Sequence, residues 1–218
     1  PMLGLLNPRS FMARADRSGL LPKLDFWVFE RSCRQLNAWS MAGRVNDSFT
    51  MSINLAPAQL SNPGLRDHIA RVIERYDIDP GMIQIEITEH SLVTDDVRVT
   101  KALGELKEQG LRLAIDDFGT LHANLDRVRN VPADALKIDM SFVTNIVDNA
   151  NDRAIVTAVL NLGSALDLKT VAEGIESTDQ AAVLTELGCG FGQGFLYGNP
   201  RSPDATAHLL AYGLVGEH

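Results

Sequence analysis

Two adjacent carboxylates, Asp116 and Asp117, close an apolar run (Leu111, Leu113, Ala114, Ile115) and are followed by Phe118-Gly119-Thr120. A buried strand that ends in paired acids sets charge at the edge of a core. Two unit charges about 4 Å apart repel by roughly 4 kcal/mol at an effective dielectric near 20. Such a pair needs a proton, a basic partner or a metal ion. An Asp-rich turn after a strand would show the same letters for structural reasons alone. Five more polar residues weigh against that reading: Asn54, Glu86, Lys137, Glu173 and Gln193 stand at or just past the ends of other strand-like runs.

Apart from Lys137, the set is made of oxygen donors. It holds no Cys/His cluster, and none of the five histidines makes a zinc-type pair. Carboxylate and amide oxygens suit Mg²⁺, Mn²⁺ or Ca²⁺. Adjacent aspartates can serve two ions, one carboxylate bridging. Two ions about 3.5–4 Å apart form the clamp used for in-line displacement at phosphorus. Lys137 could then orient the attacking water or stabilise an equatorial oxygen; a lysine paired to carboxylates for stability would be placed the same way. Proton abstraction next to a substrate carboxylate is a second reaction class that fits the same groups. The stretch Gly188-Cys189-Gly190-Phe191-Gly192-Gln193-Gly194 is glycine-rich but is no nucleotide fingerprint. It lacks the G-x-G-x-x-G spacing and follows a helix. Close backbone approach beside Gln193 accounts for it better.

These residues need elements to position them. Helical periodicity or capping predicts helices over 10–14, 24–42, 63–76, 95–109, 124–130, 151–166, 178–187 and 204–212. Strands are predicted over 49–55, 82–87, 111–115, 135–138, 169–172 and 191–197. Near-strict alternation implies a parallel sheet with crossover helices. An open doubly wound sheet would gather its ligand groups at one switch point. A closed (β/α)8 barrel brings every strand end to one mouth, and polar groups on successive strand ends favour the barrel.

The chain has 218 residues, 45% apolar and 22% charged, with no linker or low-complexity tract, which fits one ordinary domain. Its net charge of -8 argues against polymeric nucleic acid as a partner. A small phosphorylated ligand remains compatible where metals supply local positive charge. Cys33 and Cys189 make no disulfide framework, so a cytoplasmic setting is expected. No run is long enough to span a membrane and no signal peptide is visible.

Along nearly its whole length the chain resembles the EAL-domain family of cyclic di-GMP phosphodiesterases. The matching stretches are Gly4-Leu5-Leu6-Asn7-Pro8 with Phe11, Ser18-Gly19-Leu20, Ser52-Ile53-Asn54-Leu55, Ile85-Glu86-Ile87-Thr88-Glu89, Asp116-Asp117-Phe118-Gly119-Thr120, Leu136-Lys137-Ile138-Asp139, Val171-Ala172-Glu173-Gly174-Ile175-Glu176, and Gly188-Cys189 with Gln193-Gly194. The resemblance implies an α/β fold of the TIM-like (β/α)8 type. It also implies metal-dependent hydrolysis of cyclic di-GMP to linear pGpG at a two-metal site holding Mg²⁺ or Mn²⁺. By position, Asn54, Glu86, Asp116, Asp117 and Glu173 resemble the metal ligands. Lys137 resembles the group that holds the attacking water, with Glu173 and Asp117 completing the catalytic set. Gln193 resembles a supporting polar group, Glu89 the glutamate anchoring the loop after the aspartates, and Glu176 a supporting or ligand contact.

Two departures accompany the match. The glutamate of the name-giving motif would fall upstream of Pro1, together with its arginine neighbour and the first strand or strands. Residues 1–218 are therefore expected to be one EAL-type domain, incomplete at its N-terminus, with sensory or GGDEF domains upstream in the full protein, a setting that admits a membrane anchor. The loop after Thr120 reads Leu121-His122-Ala123-Asn124-Leu125, where active members usually have Gly-Tyr-Ser-Ser-Leu. In the family this loop couples the metal pair to dimer contacts, so a homodimer is implied. The altered loop also admits an alternative: a degenerate domain that binds cyclic di-GMP, or a protein partner, without hydrolysis.

Overall fold

A computed structural model describes residues 8–92, 97–120 and 125–212. The described chain alternates helix and strand from its second helix onward. It opens with α1 (Pro8–Arg17), α2 (Leu21–Met41), β1 (Met51–Asn54), α3 (Pro57–Leu60), α4 (Leu65–Tyr76) and β2 (Ile83–Thr88). It continues through α5 (Val97–Glu108), β3 (Arg112–Phe118), α6 (Leu125–Asn130), β4 (Ala135–Ile138) and α7 (Met140–Thr144). It closes with α8 (Ala150–Ala165), β5 (Lys169–Ala172), α9 (Thr178–Glu186), β6 (Phe191–Gly192) and α10 (Pro203–Tyr212).

The helices form where apolar residues recur every three or four positions. Leu65, Ile69 and Val72 bury one face of α4, and Val99, Leu103 and Leu106 do the same in α5. Ser177 and Gln180 close a reciprocal capping box at the start of α9.

The strands make one sheet in the order β1-β2-β3-β4-β5-β6, every described pair parallel. Each new strand joins the same growing edge. A doubly wound sheet would reverse direction at a switch point; the described sheet has none, which is barrel order. Strand parity then sorts the side chains. Ile53, Ile85, Leu113, Ile115, Leu136 and Ile138 share one face and are buried in the core. Residues one step away in register face the opposite side, and that side carries the polar residues.

Besides shifted ends, such as β1 at Met51–Asn54 rather than 49–55, and the unexpected α3 at Pro57–Leu60, three departures from expectation lie near the site. The third strand continues past 115 to Phe118, so both aspartates lie within it. The last strand is only Phe191–Gly192 rather than 191–197. A side chain at Gly194 would overlap the Ile175 backbone, and the chain turns there: Tyr197 N–H donates to Gly194 O at 3.1 Å. The short helix α7 was not foreseen in the sequence; Asp139 caps it by accepting from Ser141 N–H at 2.9 Å. Among the described residues no helix is long and apolar enough to cross a membrane.

Candidate active site

Register alone gathers most of the expected residues. Asn54 pairs with Glu86, Asp116 pairs with Thr88 two residues along from Glu86, and Lys137 pairs with Val171 two residues before Glu173. All five therefore share the face opposite the apolar one. Gln193 follows β6 as Glu173 follows β5.

Asp117 reaches the same site only through a break in the ladder. Ile115 pairs with Leu136 and Phe118 with Ile138, so Asp116 and Asp117 together oppose the single residue Lys137. This is a β-bulge, and Asp117 adopts the left-handed conformation in it, with φ of 54°. For a residue with a side chain that conformation costs about 1–2 kcal/mol. Strict alternation would have sent one aspartate to each face. With the bulge, carboxylate oxygens of Asp116, Asp117 and Glu173 lie within 4.8 Å of one another.

Lys137 is the cation among these acids. Its Nζ lies 2.7 Å from Glu86 Oε2, 3.0 Å from Asp116 Oδ1 and 2.5 Å from Glu173 Oε1. Burial opposes its charge, but the charge of Glu86 and hydrogen bonds to Glu173 and Glu86 outweigh burial, and its pKa rises above the ordinary lysine range. Gln193 Nε2 donates to Glu173 Oε1 at 2.6 Å, steadying that carboxylate. Glu86 is not part of the close trio; Lys137 holds it from the other side.

Crowded acids resist ionising. Burial pushes the Glu173 carboxyl from an ordinary 4.5 up to about 7, despite the lowering by Lys137. Asp117 is also raised, first by burial, then by the charges of Asp116 and Asp139. Between pH 4.5 and about 7 the unfolded chain has released the Glu173 proton while the folded chain keeps it. The folded state then binds more protons, so this group makes stability fall as pH rises through that window. Denaturant unfolding in EDTA should show the decline, and Glu173→Gln should flatten it. An unchanged slope in the variant would refute the shift.

The donor set suits a divalent cation. Asp116 Oδ1 is buried and close to Lys137 Nζ, yet receives no directed hydrogen bond. A hard cation would satisfy this oxygen and relieve the repulsion within the trio. Oxygen ligands without a thiol or imidazole fit Mg²⁺ or Mn²⁺ chemistry.

The outlying candidates divide. Glu89 is buried, and its Oε2 accepts from Gly119 N–H at 2.9 Å, tying the end of β2 to the turn after the aspartates. Glu176 is exposed and lines a cleft of about 900 Å³ that also reaches Glu173 and Gln193. Asn54 is exposed at the end of β1, next to Glu86 in register. Leu121, His122, Ala123 and Asn124, the altered loop, lie outside the described residues. Asp139 was missed in the sequence as a site neighbour; it shares a hydrogen bond with Asp117. Its placement right after Lys137-Ile138 and before a Met-Ser helix start was the available signal.

Comparison with known proteins decides the family. The family model for the EAL domain matches residues 1–200. The chain belongs to the EAL-domain family. It is 36% identical over 200 residues to MucR of Pseudomonas aeruginosa, named as a bifunctional diguanylate cyclase/cyclic di-GMP phosphodiesterase, covering 92% of this chain. It spans 29% of that protein's length. A solved structure of the PaMucR phosphodiesterase in a c-di-GMP complex superimposes with a TM-score of 0.89 at 34% identity, covering 94% of this chain and 83% of that one. The EAL domain of Mycobacterium smegmatis DcpA gives a TM-score of 0.83 at 35% identity, covering 89% and 86%. The EAL-domain fold is thus a TIM-like barrel, and the six described strands are a consecutive part of its wall.

Proposed function

We propose that this EAL domain hydrolyses cyclic di-GMP to linear pGpG with the help of Mg²⁺ or Mn²⁺. The observation that carries the reading is the convergence of Asp116, Asp117 and Glu173 beside Lys137, made possible by the bulge. The similarity to MucR, named for that activity, supports it.

Asn54, Glu86, Asp116, Asp117 and Glu173 would hold the cations. When bound, they supply Lewis acidity and offset the negative charge that develops at phosphorus. The protein's own groups do the rest. Lys137, fixed by three carboxylates, donates from Nζ to orient the attacking water. One carboxylate of the Glu173 and Asp117 pair accepts the water's proton and passes it on to the leaving O3′, Gln193 keeping Glu173 in place. The P–O3′ bond breaks, leaving a 5′-phosphate on one nucleotide and a 3′-hydroxyl on the other. Glu89 holds Gly119, and through it the turn after the aspartates, as a positioning residue.

Residues 1–218 form a single catalytic domain in this reading. It would act in the cytoplasm as a homodimer within a longer signalling protein with sensory or GGDEF domains; the short share of MucR that it spans supports that setting. The departure at Leu121 to Asn124 favours a second reading, a receptor that binds cyclic di-GMP without cleaving it. One experiment separates the two. The full-length protein is incubated with cyclic di-GMP and Mg²⁺ or Mn²⁺, and pGpG is followed by chromatography. Product is expected. Binding without product in either metal would overturn the hydrolytic reading in favour of the receptor.

A further inference from the structure

Charge is unevenly placed along this chain. Residues 8–44 carry seven cations (Arg9, Arg14, Arg17, Lys23, Arg31, Arg34, Arg44) against three acids (Asp16, Asp25, Glu30), while the whole chain has a net charge of -8. Most of that stretch is α2, 21 residues and so about 30 Å long. Its inner face buries Phe29, Cys33, Leu36 and Trp39. Its outer face presents Lys23, Trp27, Arg31, Arg34, Ala38 and Met41, three or four positions apart and all exposed. With Ser40 they are all the exposed residues of the helix, and none is acidic. Both acids of α2 are engaged elsewhere. Asp25 Oδ2 accepts from Ala56 N–H at 3.1 Å, and Glu30 Oε1 accepts from Arg75 Nη1 at 2.8 Å and from the Tyr76 hydroxyl at 3.2 Å.

The same face is unusually apolar for an exposed one. Trp27 is 60% exposed, Met41 83%, and Leu20, the residue before the helix, 51%. Arg31 stands over the Trp27 ring, 5.8 Å from its centroid. Among the described residues neither Arg31 nor Arg34 forms an ion pair. Together with Tyr76 and the already bonded Glu30, these three line a cleft of about 270 Å³. The occupant of this face has to be anionic and has to offer an apolar layer beside its charges. Phosphate alone would satisfy the arginines and leave Leu20, Trp27 and Met41 in water. A second copy packed two-fold on the stripe would set the arginines against their own counterparts. An anionic bilayer meets both demands along the whole of α2. Its phosphates suit Lys23, Arg31 and Arg34, and the boundary below them suits an indole and the aliphatic ends.

We infer that the outer face of α2 docks on an anionic lipid surface, with a headgroup phosphate held in the cleft between Trp27, Arg31 and Arg34. The contact is peripheral, made by exposed side chains of a folded helix. It also sets an orientation. Gln59 Nε2 donates to Pro22 O and Asp25 holds Ala56, so the first turns of α2 are joined to the loop after β1, just past Asn54. The helix therefore lies along the barrel wall with its start at the mouth. A bilayer against that wall leaves the carboxylate site open to water.

Tryptophan emission of the full-length protein with brominated vesicles tests the inference, using phosphatidylcholine alone and phosphatidylcholine with phosphatidylglycerol. Bromine on the acyl chains quenches an indole that enters the boundary. Quenching is expected with phosphatidylglycerol present, reduced by salt, and absent from Trp27→Phe, since Trp39 is buried. The phosphatidylglycerol needed for half-maximal quenching should rise about fivefold in Arg34→Gln and about 25-fold when Arg31→Gln is added, on the worth of a cation near such a surface. Lys101→Gln removes the same charge from α5 and should shift nothing. Quenching unchanged in the double variant, or weakened as much by Lys101→Gln as by Arg34→Gln, would overturn the docking face.

Thermal unfolding in the absence of lipid should be the same in all these variants, because each replaced side chain is exposed. A loss of quenching then reports the contact and not the fold. Trp27 emission left unquenched by the anionic vesicles would overturn the lipid assignment in favour of an acidic protein partner on the stripe. Neither readout involves turnover, so failure of the hydrolytic reading would leave the docking face standing.

Discussion

Lys137→Met is expected to destabilise the metal-free protein by about 3–5 kcal/mol, the usual result of removing one partner from a buried ion pair. The side chain is 4% exposed, and its ammonium serves Glu86, Asp116 and Glu173 together. Methionine fills much of the volume but leaves three carboxylates facing one another with no cation. The variant should therefore gain more stability from added Mg²⁺ or Mn²⁺ than the wild type does, because the ions take over the neutralising charge. Urea unfolding of both proteins, in EDTA and in each metal, reads both effects. A variant as stable as the wild type in EDTA would show that Lys137 is not what holds the acids together. Turnover should be lost as well if Lys137 orients the attacking water as proposed.

Asp116→Asn is expected to cut pGpG formation by at least about 10²–10³-fold, on the scale of losing one preorganised electrostatic group. The amide nearly copies the carboxylate in shape, so the β3 register opposite β2 has no reason to change. What is lost is the charge at a buried oxygen that no hydrogen bond satisfies. The stability consequence should run opposite to that of Lys137→Met. Removing one of three crowded acids relieves repulsion within the trio, so the variant should be at least as stable as the wild type in EDTA. Its gain in unfolding temperature on adding Mn²⁺ should be smaller. Retained turnover would refute the assignment of Asp116 as a metal ligand. Retained metal stabilisation with lost turnover would place its role in the chemistry rather than in holding the ion.

The sequence by itself determined the barrel order and the membership of the polar face. Both follow from local rules. Helical spacing and strand alternation recur every few residues, and the residue at a parallel strand's end lands at the mouth whatever its neighbours do. Asn54, Glu86, Asp116, Lys137, Glu173 and Gln193 were legible for that reason, and the family motifs they sit in made their roles legible as expectations.

Tertiary structure decided the rest. Alternation places Asp116 and Asp117 on opposite faces, and only pairing with β4, two residues against one, turns both inward. That bulge needs a left-handed residue at Asp117, which the alternation of a strand would not assign. The three partners of Lys137 come from β2, β3 and the end of β5, separate strands whose register depends on how their apolar faces pack. The early end of β6 follows from the Ile175 backbone filling the space a side chain at Gly194 would need. The paired aspartates were visible in the sequence as a charge problem. Their convergence on Lys137 was not, because it depends on contacts between strands far apart along the chain, which alternation within one strand cannot encode.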